Sequence, residues 1–123
     1  DENYFIDRLD YDYCIACRYH GYKIKQINQI YLHQKLGVEY KYFFKRCSTH
    51  MPLRHYYIFR NRLFFYLKKN KISFLNIAKV VILSFKHIIQ IIISEEQKFE
   101  KLKMILIGGR DHFQNRMGKY RKI

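Results

Sequence analysis

The residues best placed to do chemistry stand near the start of the chain, in YFIDRLDYDYCIACRYHG from Tyr4 to Gly21. Asp7, Asp10 and Asp12 follow an apolar lead-in. Asp10 and Cys14, and Cys14 with Cys17 and Arg18, are spaced three or four apart and so share one side of a helix. A carboxylate here has two readings. Orphan N–H groups and the positive end of the helix dipole favour an acid in a first turn, which makes Asp10 or Asp12 a helix cap. The same carboxylate in a cleft would be a proton acceptor. Cys14-x-x-Cys17 formally matches a redox or half-zinc spacing. With no second pair and a helical setting, structural cysteines fit it better.

These residues need elements to hold them. Tyr4 to Ile6 reads as an extended lead-in, and Leu9 to His20 as a helix closed by a left-handed cap at Gly21. Tyr22 to Leu32 alternates in two registers, which predicts two short strands with a turn near Asn28. His33 follows at a strand end. Gln34 to Thr49 reads as an aromatic and basic loop. Pro52 suits the first turn of a second helix, with Ser48 or Thr49 as its cap. Leu53, Tyr56, Tyr57, Phe64 and Leu67 recur at helical spacing as a buried stripe, with Arg54, Tyr57 and Asn61 on a neighbouring face. Taken alone, that arginine and asparagine read as a solvated face.

Ser73 to Ile93 is the most apolar stretch. Asn76, Lys79, Lys86, His87 and Gln90 interrupt it, which argues against a transmembrane span. They fall on one arc, so the helix suits a membrane interface or a packed core equally well. Ser94-Glu95-Glu96-Gln97 has the form of a capping box opening a last helix, with Phe99, Leu102, Ile105 and Leu106 apolar and Gly108-Gly109 as its end. The expected domain pattern is an acidic helix, short strands and a loop over 1–50, then a helical region over 51–123.

The order of these landmarks resembles the C-terminal half of family 2 glycosyltransferases, especially rhamnosyltransferase-like members. Phe5-Ile6-Asp7 through Asp10, Asp12, Cys14, Arg18 and Gly21-Tyr22 comes first. His33 follows, and then HMPLRHYYIFRN from His50 to Asn61. The tail RDHFQNRMGKYRKI is similar to that family's terminal segment, with Gln114 and Asn115 where small residues are usual. The resemblance implies a piece of a GT-A-type α/β fold, predominantly helical here with a few short strands. It implies an inverting enzyme that transfers a sugar, with rhamnose the candidate, from a nucleotide-sugar donor to a glycan or lipid-linked acceptor. Asp10 would be the general base, with Asp12 beside it. His33 would contact a divalent metal (Mg or Mn) or the diphosphate. His50, Arg54, Arg60 and Asn61 would meet substrate. The nucleotide-binding half with its D-x-D motif would precede Asp1, and no activity is expected of this stretch alone.

Charge narrows the partners. The net charge is +14, and Tyr13 to Ile93 holds a single acid, Glu39. Such a surface attracts phosphates of nucleic acid, anionic lipid or a pyrophosphate substrate. No nucleotide-binding glycine loop and no nucleic-acid motif occurs, and the aromatics fall on apparent core faces, which disfavours nucleic acid. Three cysteines and no secretory signal suit a reducing cytoplasm. The expected site of work is the cytoplasm, peripheral at the inner face of the membrane. A chain of 123 residues starting at Asp1 reads as part of a longer protein, with uncovered apolar faces that favour self-association. The competing reading is a basic, non-catalytic domain that binds a membrane surface or a partner.

Overall fold

The computed structural model describes residues 1–31, 33, 38–42, 45–69 and 73–121. The elements in order are α1 (Leu9–Tyr19), β1 (Val38–Tyr42), β2 (Lys45–Thr49), α2 (Pro52–Leu63, continued as a π-helical stretch Phe64–Lys69), α3 (Phe74–Ser94) and α4 (Lys98–Phe113). The strands pair only with each other, antiparallel, Val38 opposite Thr49 and Tyr42 opposite Lys45. Among the described residues the chain is therefore a helical assembly with one hairpin, and the α/β expectation is overturned. Parallel α/β sheets need strands covered on both faces. Tyr22 to Tyr31, expected to supply strands, is instead exposed throughout and has no sheet neighbour, although a turn does fall at Asn28-Gln29. The hairpin lies in the stretch read as a loop.

The structural centre is α2 packed on α4. Gly108 and Gly109 were expected to end α4, but the helix runs through them to Phe113. Their role is close approach: a Cβ on Gly108 would lie 2.7 Å from the Tyr56 carbonyl oxygen, and one on Gly109 3.2 Å from the Phe59 ring. The end comes later. Asn115 takes φ 57°, its N–H donates to His112 O, and Arg116 N–H donates to Asp111 O at 2.8 Å. This is a Schellman closure with asparagine in the left-handed position. Gly21, at φ 80°, closes α1 in the same way, with Gly21 N–H on Arg18 O and Tyr22 N–H on Cys17 O. That cap was legible from the sequence.

Two other expected caps are corrected. Pro52 does begin α2, but Met51 is the cap residue and gives no side-chain bond, because Ser48 and Thr49 belong to β2. Ser94 does not open α4. Its hydroxyl donates back to Gln90 O at 2.7 Å, which keeps it in α3, while Glu95 turns inward. Ser73 caps α3 by accepting from the Asn76 N–H at 3.2 Å.

α3 lies inside out. The stripe that faces the rest of the protein carries Asn76, Ser84, His87 and Ser94 among Val80, Leu83, Ile88 and Ile91. Its outward side is Phe74, Leu75, Ile77, Val81, Ile82, Phe85, Ile89, Ile92 and Ile93, all exposed. At 21 residues the helix is long and apolar enough to cross a membrane by length and composition alone, and most of it is uncovered, while Asn76, Lys79, Lys86, His87 and Gln90 still interrupt it.

Candidate functional site

The acids of the lead-in are positioned by α2. Asn61, fully buried, donates its amide to the carbonyls of Ile6 and Asp7, the latter at 3.2 Å. Arg60, also fully buried, orients Asn61 through bonds from Nε and Nη2 to Oδ1 at 3.2 and 3.1 Å. Its Nη2 reaches Asn3 O at 3.5 Å and its Nη1 reaches Arg116 O at 3.4 Å. The guanidinium lies over the rings of Tyr56 and Tyr57 and bonds the Tyr56 hydroxyl, which donates to Asp111 at 3.0 Å. Burial pushes the Tyr56 phenol up to about 12, against the lowering influence of Arg60. One guanidinium thus ties the lead-in, α2 and the tail together. Arg60 and Asn61 hold backbone rather than open to solvent, so the solvated-face reading of Arg54 and Asn61 fails for Asn61, while Arg54 stays part-exposed.

This clamp supports an unusual piece of backbone. Asp7 and Arg8 both take positive φ, 61° and 72°, immediately before α1. Two consecutive left-handed non-glycine residues are costly and persist only where the surroundings hold them. Here Asn61 grips the carbonyls before the bend, and Arg54 Nη2 lies 3.4 Å from Asp7 Oδ1. Arg8 sits over the rings of Tyr11, Phe65 and Tyr66 at 5.4 to 5.6 Å. Apart from its presence in the acidic run, nothing in the sequence marks Asp7 as a fixed part of the site.

The bend delivers Asp10 to the exposed first turn of α1. There it lines a shallow, open cleft of about 410 Å³ on the face of α1, with Tyr11, Cys14, Ile15 and Arg18. Asp12, two residues on, points to the other side of the helix and is buried. It lies near Tyr4, whose phenol is driven upward by burial first and by the Asp12 charge second. The two acids are therefore separated: Asp10 is open to a substrate and Asp12 faces the core. Arg54 is half-buried beside Asp7, and His50 is half-buried elsewhere.

His33 is exposed beyond the extended stretch, and the described residues give it no bond to either acid. Among them no three His, Cys, Asp or Glu side chains come together to hold a metal ion. The described residues do not by themselves fit the divalent metal that the resemblance implies.

A second polar cluster lies between α2, α3 and the turn into α4. His55 Nδ1 is 2.8 Å from His87 Nε2, with the rings stacked, and His55 Nε2 is 3.2 Å from Glu95 Oε2. Lys101 Nζ donates to the same oxygen at 2.9 Å, and Gln90 reaches the other at 3.3 Å. Burial lowers His55, His87 and His50 alike, His87 to about 4. Of these groups only His50 was foreseen as a site residue. The others hid because a buried pair such as Glu95 and Lys101 looks like surface charge until the fold is known.

Over 115 residues the chain is 30% identical to the dTDP-rhamnosyl transferase RfbF of Shigella flexneri. The likeness is to a glycosyltransferase. It covers 90% of this chain but only 38% of that relative, so the chain spans well under half of the relative's length. The match therefore fits a piece of a glycosyltransferase-like protein. No family model matches the chain. No solved structure matches it.

Proposed function

We propose that this stretch is the C-terminal part of an inverting, rhamnosyltransferase-like family 2 glycosyltransferase. Its donor would be a nucleotide sugar, by the likeness dTDP-linked rhamnose, and its acceptor a glycan or lipid-linked hydroxyl. The observation that carries this reading is the identity to the rhamnosyl transferase across 90% of the chain. The clamped bend that presents Asp10 at an open cleft suits it.

In this reading the Asp10 carboxylate takes the proton of the acceptor hydroxyl as that oxygen attacks the anomeric carbon. The bond from that carbon to the nucleoside diphosphate breaks, and the configuration inverts. Arg54, half-exposed beside Asp7, is the basic side chain best placed to meet substrate charge. Arg60 and Asn61 act on the reaction by fixing the bend. A divalent ion would draw its ligands chiefly from elsewhere in a longer chain, with His33 as an exposed candidate.

The test uses the whole parent protein with dTDP-rhamnose and a lipid-linked glycan acceptor. Asp10→Asn should lower turnover by roughly two to four orders of magnitude, with donor binding little changed. Near-normal turnover in that variant removes Asp10 from the mechanism.

The place of work proposed is a cytoplasmic membrane face. The outward side of α3 is apolar along its whole length, and Lys79 and Lys86 flank it on a chain of net charge +14. That pattern suits an anionic lipid surface. A second copy of the chain seated on the same face is the competing occupant.

A further inference from the structure

The histidine cluster borders a cavity of about 250 Å³, lined by His50, His55, Arg62, Lys86, His87 and Glu95 with a few apolar neighbours. Its acid is already committed, to Lys101, Gln90 and His55. Arg62 is not so provided. It is only 7% exposed, and among the described residues its one bond is a 3.4 Å contact from Nη1 to Ser84 Oγ, with its buried Nε meeting no partner. Arg8 adds to the positive field around it, and burial with that field brings Arg62 down to about 10. A guanidinium taken out of water without a counter-charge is among the least favourable arrangements a fold can hold. A small anion would relieve it.

His87 offers a second contact. Its Nδ1 is buried with no partner among the described residues. Glu95 requires a hydrogen on the facing His55 Nε2, which leaves His55 Nδ1 to accept from His87 Nε2–H. Neutral His87 then carries no hydrogen on Nδ1. Protonation would put one there and create a new donor.

We propose that this cavity is a binding site for a phosphoryl group, held by Arg62 and by a His87 that takes up a proton as the anion arrives, with Lys86 and His50 at the rim. The groups that face it are His55 and Arg62 from α2, His50 before it, Lys86 and Gln90 from α3, and Glu95 from the connection. Behind these, Ser84 and Arg8 act on Arg62, and Lys101 from α4 acts on Glu95. Burial, Arg62 and His55, in that order, disfavour the His87 cation, and an anion beside Arg62 offsets the second of these. Binding therefore strengthens as pH falls. The inference does not depend on the glycosyl-transfer reading.

The full chain is titrated with inorganic pyrophosphate at matched ionic strength by calorimetry. Corrected for the anion's own protonation, affinity should fall roughly tenfold between pH 6 and pH 8, with proton uptake on binding larger at pH 6 than at pH 8. Arg62→Gln should abolish binding. His87→Gln should leave weaker binding whose remaining pH dependence is only the anion's own titration, an outcome a merely packing histidine would not give. If Arg62→Gln loses helix content, Lys86→Gln at the rim serves instead and should weaken binding several-fold. Vesicles containing phosphatidic acid or phosphatidylserine distinguish a lipid phosphate from a free one: the ligand whose binding requires Arg62 is the source. No binding of either at pH 6, or binding indifferent to both Arg62 and Lys86, overturns the site.

Discussion

At the residue scale, the local environment divides work among groups of one chemical type. Asp10 and Asp12 differ by two positions, and a helix turns those to nearly opposite sides, so one carboxylate faces a cleft and the other the core. Asn61 shows the same division: it matters to the site through the carbonyls it holds. Asn61→Leu should cost roughly 1–3 kcal/mol, because it leaves two part-buried carbonyls short of a donor. In the parent it should lower turnover together with Asp10 presentation, which a denaturant melt and a transfer assay would show in parallel. The histidines set a pH dependence. His87 titrates near 4 when folded and near 6.5 when unfolded, so the unfolded chain binds more protons between those values. Stability should be full above about pH 6.5 and decline as pH falls toward 4. His87→Gln should flatten that decline, as read from denaturant midpoints across the range. These histidines were not legible beforehand. A His at one helix position and another some thirty residues on carry no periodic signal, and only the crossing of α2 and α3 stacks them.

At the scale of elements, the sequence located the helices well and their purposes less well. Helical spacing found α1 to α4 because apolar periodicity is local. Gly108-Gly109 reads as a stop by the same local logic, since glycine weakens a helix interior. The tertiary contact with Tyr56 overrides it. Gly108→Ala should therefore destabilise the α2–α4 pair by about 1–3 kcal/mol, as overpacking does. Gly109→Ala, which meets only a ring that can shift, should cost less, and paired urea melts would separate them. The same reasoning explains why Tyr22 to Tyr31 is no strand: alternation proposes a strand, but only a neighbouring strand stabilises it. α3 is the sharpest case. Its polar arc is divided: Asn76 and His87 turn toward the protein, while Lys79, Lys86 and Gln90 stay exposed beside an uncovered apolar side. Binding of the chain to anionic vesicles should weaken with salt and fall further in Lys79→Glu/Lys86→Glu, leaving a residual apolar association. If sedimentation finds no vesicle binding at any salt, and the chain dimerises instead, α3 is a packing surface.

At the scale of the whole molecule, the resemblance in the acidic run and in HMPLRHYYIFRN pointed to the class of protein that the rhamnosyl transferase represents, though that relative is far longer. What the sequence could not supply was the mutual support of its ends. The Gly118 N–H donates to Asn3 O at 3.0 Å, and the Tyr120 N–H donates to the Tyr57 hydroxyl at 2.7 Å. Arg60 bonds carbonyls from both segments. Opening of the lead-in must break the first of these, so the deuterium uptake of one amide near the tail reports on the footing of an aspartate more than a hundred residues earlier in the chain. Slow exchange at Gly118 in the wild type, quickened by Asn61→Leu while the amides of α3 keep their own rates, would reveal the two ends opening and closing as a single cooperative unit.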